Sequence, residues 1–98
     1  PPQLEQAIYR ITQEAFENII RHAQATRVKL SLGMVGKTLE LSIQDDGKGF
    51  EHSLETPQDS MGIRGMQERA AVIGGTLDVS STPQEGTNII FRKENPYD

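Results

Sequence analysis

Two adjacent carboxylates followed by two closely spaced glycines stand near the middle of the chain, in the stretch Asp45-Asp46-Gly47-Lys48-Gly49. A carboxylate can accept a hydrogen bond from an amino group, and glycine lets the backbone approach a ligand closely or take a positive φ. Aspartate and glycine are also ordinary turn formers. On these residues alone, a ligand site and a polar turn explain the stretch about equally well.

A second group of polar side chains lies on the first predicted helix. Glu14 and Asn18 are one helical turn apart, and Arg21 and His22 follow one turn later. Asparagine is a poor residue for the middle of a helix, and its amide oxygen suits Mg²⁺, a hard cation held by few protein oxygens. For Glu14 or Arg21 taken singly, a solvated helix face is the favoured interpretation.

A third group opens the second predicted helix, where Gly62 and Gly65 flank Arg64. Bare N–H groups at the positive end of a helix dipole form a ready anion site. Together with Arg21 and Lys48, this helix start is suited to neutralising phosphates. Taken alone, the glycine pair is better explained as a loop end followed by an ordinary helix start.

The hydrophobic pattern predicts the elements that position these groups. In chain order they are a helix over residues 3–23, strands over 28–32 and 39–43 joined by 33–37, a loop over 51–61, a helix to residue 73, strands over 77–80 and 87–92, and a polar tail over 93–98. The apolar stripe of the first helix includes Ile20 as a core residue. Residues 28–32 alternate as a strand, and residues 39–43 alternate as a half-buried strand. This order predicts an α+β sandwich with helices on one face of a mostly antiparallel sheet.

Composition limits the possible classes of protein. The 98 residues are expected to form one domain, over 1–98, and the opening Pro1-Pro2 without methionine suggests a fragment of a longer protein. No apolar run approaches the roughly 20 residues of a membrane span. The absence of cysteine fits a reducing compartment. A net charge of −4 argues against a nucleic-acid partner.

The order and spacing of these motifs resemble the ATP-binding domain of the GHKL superfamily, which contains gyrase, heat-shock chaperone, histidine kinase and mismatch-repair ATPases. Residues 13–23 look like the N box, and residues 45–50 match the first glycine box, Asp-x-Gly-x-Gly. Residues 61–70 look like the second glycine box, and residues 85–87 resemble the last. The chain is most similar to bacterial sensor histidine kinases of the nitrate-sensor type.

The resemblance implies a Bergerat-type fold, a two-layer α/β sandwich with helices on one face of a mixed, mostly antiparallel sheet. Relatives place a strand before the N-box helix, so the sheet is expected to lack an N-terminal edge strand. The dimerisation helices and the phosphoacceptor histidine are also absent from these 98 residues. The fragment is therefore expected to bind ATP without phosphorylating itself.

The resemblance also implies a role for each site residue. Asp45 would bond the adenine amino group, Gly47 and Gly49 would let the base approach, and Thr87 would lie near the adenine. Asn18 would coordinate Mg²⁺, and Glu14 would lie near the water on the metal or the γ-phosphate. Asp46 would be structural or face solvent. The residues expected on the phosphate side or at the hinge of the lid are Arg21, His22, Lys48, Gly62, Arg64 and Gly65.

The implied function is transfer of the γ-phosphoryl group of ATP to a histidine in the dimerisation domain of the parent, for relay to a response regulator in the cytoplasm. No direct membrane contact is expected for this domain. Two alternatives remain: a non-enzymatic module gated by nucleotide, and an anti-sigma-type serine kinase of the same fold. The helix sequence Gly-Met-x-Glu-Arg-Ala tells against the serine kinase. A dinucleotide-binding fold does not fit the sequence. Gly49 is followed directly by a predicted polar loop, without the helix and third glycine that the dinucleotide-binding motif requires.

Overall fold

The computed structural model describes residues 2–23, 25–47, 62–82 and 85–96, with the backbone alone at 22 and 23. The elements are α1 (Pro2–Asn18), which continues into a π-helical turn (Ile19–Ala23), β1 (Val28–Val35), β2 (Thr38–Asp45), α2 (Ile63–Val72), β3 (Thr76–Thr82) and β4 (Gly86–Glu94). The predicted α+β class and the order of the helices and strands are confirmed. The loop predicted over residues 51–61 lies outside the described residues.

The first helix forms because its apolar residues recur at steps of three and four. Its buried side chains are Leu4, Ala7, Ile11 and Ala15. Pro2 begins the helix, where a missing N–H breaks no hydrogen bond, and Glu5 places a negative charge in the first turn. The widened turn Ile19–Ala23 that ends it is a type often found at functional sites.

The four strands form one sheet in the order β1-β2-β4-β3, and every pairing is antiparallel. The parallel part of the expected mixed sheet does not occur among the described strands. Each hairpin contributes one central strand, so the ladder between β2 and β4 joins the two halves of the chain. In this ladder Asp45 lies opposite Thr87, and its other neighbour is Val28 of β1.

The second helix ends at a pair of glycines, as the sequence predicted. Gly74 has φ 77°, which favours glycine, and its N–H donates to the carbonyl of Ala71. A Cβ on Gly75 would lie 2.7 Å from the carbonyl oxygen of Arg92 and 2.9 Å from the ring of Phe91. The chain therefore turns back closely against β4 at this point.

Both helices pack on the same face of the sheet and enclose one core. The buried cluster consists of Leu4, Ile11, Ala15, Leu41, Ile43, Ile63, Met66, Ala70, Leu77, Ile89 and Phe91. Neither described helix is long and apolar enough to cross a bilayer. On the opposite face, Arg92 donates to Glu40 at 3.0 Å and to Asp78 at 3.3 Å, which links three strands through one partly buried and one exposed ion pair.

Two predicted strand ends were wrong. The connection expected over residues 33–37 is a turn at Gly36 and Lys37 alone, and Gly36 has the positive φ that the turn requires. Gly33 does not interrupt β1, because it lies in an edge strand with no atom within 4 Å of its Cβ position. Likewise, β4 does not end at residue 92 as predicted. Its ladder with β2 continues to Glu94, within the predicted polar tail.

The predicted burial of Ile20 was also wrong, and the apolar row of β1 is more exposed than that of β2. The apolar row of β1, which consists of Val28, Leu30, Leu32 and Met34, is 40–52% exposed although it shares a face with the core residues of β2. The row lies on the edge strand β1 of the described sheet, beyond the part of the sheet that the two helices cover. Ile20 is 81% exposed, because the π-helical turn leaves the 3.6-residue phase of the predicted stripe. The expectation that the sheet lacks an N-terminal edge strand stays a prediction.

Candidate functional site

Asp45 is the only polar or charged side chain that is buried in the described part of the chain. It ends β2 on the same face as Leu41 and Ile43, so the carboxylate continues a core row at the end of the sheet. Its Oδ1 accepts a hydrogen bond of 2.8 Å from the N–H of Gly47. No other described residue bonds this carboxylate, so Oδ2 remains available to accept a hydrogen bond from a ligand.

Strands β4 and β3 each place one hydroxyl group at this end of the sheet. Thr87 lies across from Asp45 in the ladder, and Ser81 of β3 lies across from Thr87. The two hydroxyl oxygens are 2.9 Å apart. Ser81 was missed from the sequence, although alternation with Leu77 and Val79 places it on the inner face.

Gly86 allows this close arrangement of strands. It has φ 103°, and a Cβ there would overlap the carbonyl oxygen of Asp45. Gly86 stands in the last glycine motif of the sequence but was not among the predicted site residues. Its backbone contact with Asp45 shows why a glycine precedes Thr87.

The neighbouring carboxylate, Asp46, has a structural role. Its Oδ1 accepts hydrogen bonds of 2.8 Å from the N–H groups of Thr26 and Arg27, and its Oδ2 lies 2.7 Å from the hydroxyl of Thr26. The Thr26 hydroxyl, followed by the Arg27 N–H, lowers the pKa of Asp46 below its ordinary value. Asp46 thus fixes the segment that enters β1, and Asp45 is left to face the site.

Glu14 and Gly62 bring the two helices together at the start of α2. Gly62 takes a left-handed conformation, with φ 69°, immediately before the helix, and no side chain caps the helix there. A Cβ on Gly62 would overlap the carboxylate of Glu14. The Glu14 carboxylate therefore contacts the α-carbon of Gly62, at the positive end of the α2 helix dipole.

The other predicted site residues lie at the end of α1, at the start of α2 or outside the described residues. Asn18 is half-buried at the end of α1, and Arg21 is exposed in the π-helical turn. Arg64 and Gly65 are exposed in the first turn of α2, with open space around the Cβ position of Gly65. Lys48, Gly49 and the side chain of His22 lie outside what the structure describes.

A nucleotide with its metal fits the side chains that are present. The available oxygen of Asp45 is an acceptor for an amino group, and Asn18 supplies an amide oxygen. Among the described residues, no group of three or more His, Asp or Glu side chains could hold a metal ion. That arrangement is compatible with Mg²⁺ bound chiefly through substrate phosphates, water and one amide.

Residues 3–96 match the model of the histidine kinase-, DNA gyrase B- and HSP90-like ATPase family. The chain belongs to this family. The resemblance drawn from its sequence motifs is thereby confirmed, and the domain is a histidine kinase-like ATP-binding domain.

Two curated relatives of this ATPase domain are sensor proteins. The sensor protein VraS of Staphylococcus aureus is 41% identical over the whole of this chain, which covers 29% of that protein. VraS of Staphylococcus saprophyticus is 43% identical over 91% of this chain and 25% of the relative. The chain thus spans less than a third of the length of these relatives.

Two solved structures share the fold of this chain. The histidine kinase domain of the blue-light activated kinase EL346 from Erythrobacter litoralis has a TM-score of 0.78 at 24% identity, over 96% of this chain and 46% of that one. The ATP-binding domain of PrrB from Mycobacterium tuberculosis has a TM-score of 0.70 at 23% identity, over 93% of this chain and 68% of that one.

Proposed function

We propose that this domain binds Mg·ATP and donates the γ-phosphoryl group to a histidine in the dimerisation domain of its parent protein. The observation that carries the proposal is the buried Asp45 carboxylate, with one oxygen available at the open end of the sheet. The relay would continue to an aspartate of a response regulator. The domain would work in the cytoplasm, where ATP is available.

The adenine end of the ligand would lie against β2 and β4. Oδ2 of Asp45 would accept a hydrogen bond from the exocyclic amino group, while the bond from Gly47 holds Oδ1 in place. Thr87 would contribute its hydroxyl from the facing strand. Gly47 and Gly49 would leave room for the base.

The phosphate end would lie between α1 and the start of α2. Asn18 would hold Mg²⁺, which when bound neutralises charge on the phosphate oxygens. Glu14, at the junction of the two helices, would orient the groups around the γ-phosphate. The residues we assign to phosphate neutralisation or close backbone approach are Arg21, His22, Lys48, Gly62, Arg64 and Gly65.

The proposal is tested by calorimetric titration of a non-hydrolysable ATP analogue with and without Mg²⁺. Asp45→Asn removes the charge from a buried hydrogen bond worth roughly 1.5–3 kcal/mol. It should therefore weaken binding about 10- to 150-fold. Asp78→Asn is the matched control, because Asp78 lies on the outer face of the sheet and should leave affinity unchanged. Equal binding by wild type and Asp45→Asn would refute the pocket assignment.

Phosphotransfer is tested separately, in the full-length parent protein that contains this domain. We expect labelled phosphate from ATP on the parent histidine, and loss of that label in Asn18→Ala. The isolated domain should bind nucleotide but acquire no label. Binding without transfer in the full-length protein would favour the nucleotide-gated module over the kinase.

A further inference from the structure

A groove of about 320 Å³ runs between the two helices, toward the end opposite Gly62. Its described lining consists of Gln3, Gln6, Ala7, Arg10, Arg69, Val72 and Ile73. Glu14 of α1 meets Gly62 at the start of α2, whereas the groove joins the start of α1 to the end of α2. The helices therefore lie antiparallel, and the groove is the far half of their seam.

The charge of this groove is opposite to that of the chain. Arg10 enters it from α1 and Arg69 from α2, and no carboxylate is among the described residues that line it. Within the described segments, neither guanidinium forms a hydrogen bond or ion pair. Two unpaired arginines facing one groove, in a chain of net charge −4, complement carboxylates on a partner.

The remaining lining suits a polypeptide. Ala7 is buried and forms part of an apolar floor with the half-buried Ile73, while Val72 is 85% exposed at the rim. Gln3 and Gln6 add side-chain amides that can pair with polar groups of a peptide. An apolar floor between helices, with charges at its edges, is the form of surface that receives an amphipathic helix.

The groove is separate from the nucleotide site. Arg69 lies seven residues beyond Gly62, which at about 1.5 Å per residue is roughly 10 Å along α2. None of the residues that line the groove is among those assigned to the nucleotide site.

We propose that this groove docks an acidic amphipathic helix of a protein partner. Its apolar face would cover Ala7, Val72 and Ile73, and its carboxylates would pair with Arg10 and Arg69. A guanidinium binds a carboxylate through two parallel hydrogen bonds, which fixes the orientation of the helix. An anionic membrane surface is a poorer fit, because stable binding there needs a cluster of several basic residues.

The probe is a synthetic helical peptide with leucines along one face and glutamates flanking them, and the matched peptide carries glutamine at every glutamate. Chemical shifts of the isotopically labelled domain locate the contact, and fluorescence anisotropy gives the affinity. The test variant is Arg10→Gln with Arg69→Gln. The control variant, Lys29→Gln with Lys37→Gln, removes the same charge from exposed residues outside the groove.

We expect shift changes at Gln3, Gln6 and Val72, and binding at least about tenfold weaker in the arginine variant and for the glutamine peptide. The lysine variant should bind as the wild type does, and all variants should keep the same circular dichroism spectrum. Equal binding by the arginine variant, shift changes confined to other surfaces, or no binding at all would overturn the proposal. Arginine-dependent binding to phosphatidylglycerol vesicles but not to the peptide would overturn it in favour of a membrane, and displacement of the peptide by inorganic phosphate in favour of a small-anion site.

Discussion

The Glu14 carboxylate rests on the α-carbon of Gly62, at the point where α2 begins. This contact joins the N-box helix to the second glycine motif, and it requires both the missing side chain and the positive φ of Gly62. The position of the Glu14 carboxylate therefore depends on the backbone conformation of Gly62.

Substitution of Gly62 tests this relationship. Gly62→Ala should destabilise the fold by about 1–2 kcal/mol, because alanine is strained in the left-handed region, and its methyl group would displace the Glu14 carboxylate. Gly65→Ala is the control: it lies within α2 with open space around it, and alanine favours helix by up to about 1 kcal/mol. Urea unfolding measures both. A loss of stability in Gly65→Ala equal to that in Gly62→Ala would contradict the assignment.

The hydroxyl of Thr87 should contribute less to nucleotide binding than Asp45 does. Thr87→Val keeps the shape of the side chain but removes a hydrogen bond worth roughly 0.5–1.5 kcal/mol, so the affinity for ATP should fall about two- to tenfold. Thr87→Ser should restore most of it. If Thr87→Val binds as tightly as wild type in calorimetry, the hydroxyl serves only its contact with Ser81.

Acid should weaken the attachment of β1 through Asp46. Its pKa in the folded state is lowered from an ordinary value of 3.8, first by the Thr26 hydroxyl and then by the Arg27 N–H. The folded pKa is thus below the unfolded one, so the stabilisation is complete above about pH 5 and is lost as the pH falls through the folded pKa.

Asp46→Asn measures that contribution. Its urea midpoint should lie below that of wild type at neutral pH, and the difference should shrink toward about pH 3. Glu68→Gln, at an exposed carboxylate of α2 with no hydrogen bond or ion pair among the described residues, controls for a general loss of charge. A difference that stays constant across this range would show that the Asp46 charge does not hold β1.

Leu32 and Leu41 face each other in the ladder between β1 and β2 but differ in exposure, at 52% and 2%. Leu41→Ala should cost roughly 2–5 kcal/mol, because it opens a cavity in the core. Leu32→Ala should cost about 1 kcal/mol or less, since its side chain keeps about half its contact with water. Equal losses in thermal unfolding would mean that β1 is covered in solution.

The elements were predictable because they follow from local periodicity. The alternation that ends at Asp45 and the stripe from Leu4 to Ala15 are properties of neighbouring residues, and both were recognised. The exposure of Leu32 was not predictable in this way, because burial depends on what lies next to an edge strand. Nor does periodicity reveal the contact between Glu14 and Gly62, which depends on how two distant helices pack.

The pairing of Asp45 with Thr87 was equally hidden from the sequence. The residues were assigned to one ligand through the family resemblance, yet their register depends on which strands of the two hairpins become central. Ser81 was overlooked because a serine near a strand end is unremarkable until the facing strand supplies Thr87. The motifs therefore predicted which residues share a site, and the sheet order determines how Asp45 and Thr87 face each other.

The strand order also has a consequence for folding. Each hairpin is local, but the ladder between β2 and β4 joins distant parts of the chain: the bond from Arg92 to Glu40 links residues 52 positions apart. Long-range closures cost more chain entropy and form slowly. Asp45 and Thr87 meet only when that ladder has closed, so competence to bind nucleotide should be the last property gained in refolding. A variant that keeps both hairpins but weakens the ladder between β2 and β4 would lose the ability to bind ATP before it loses its secondary structure.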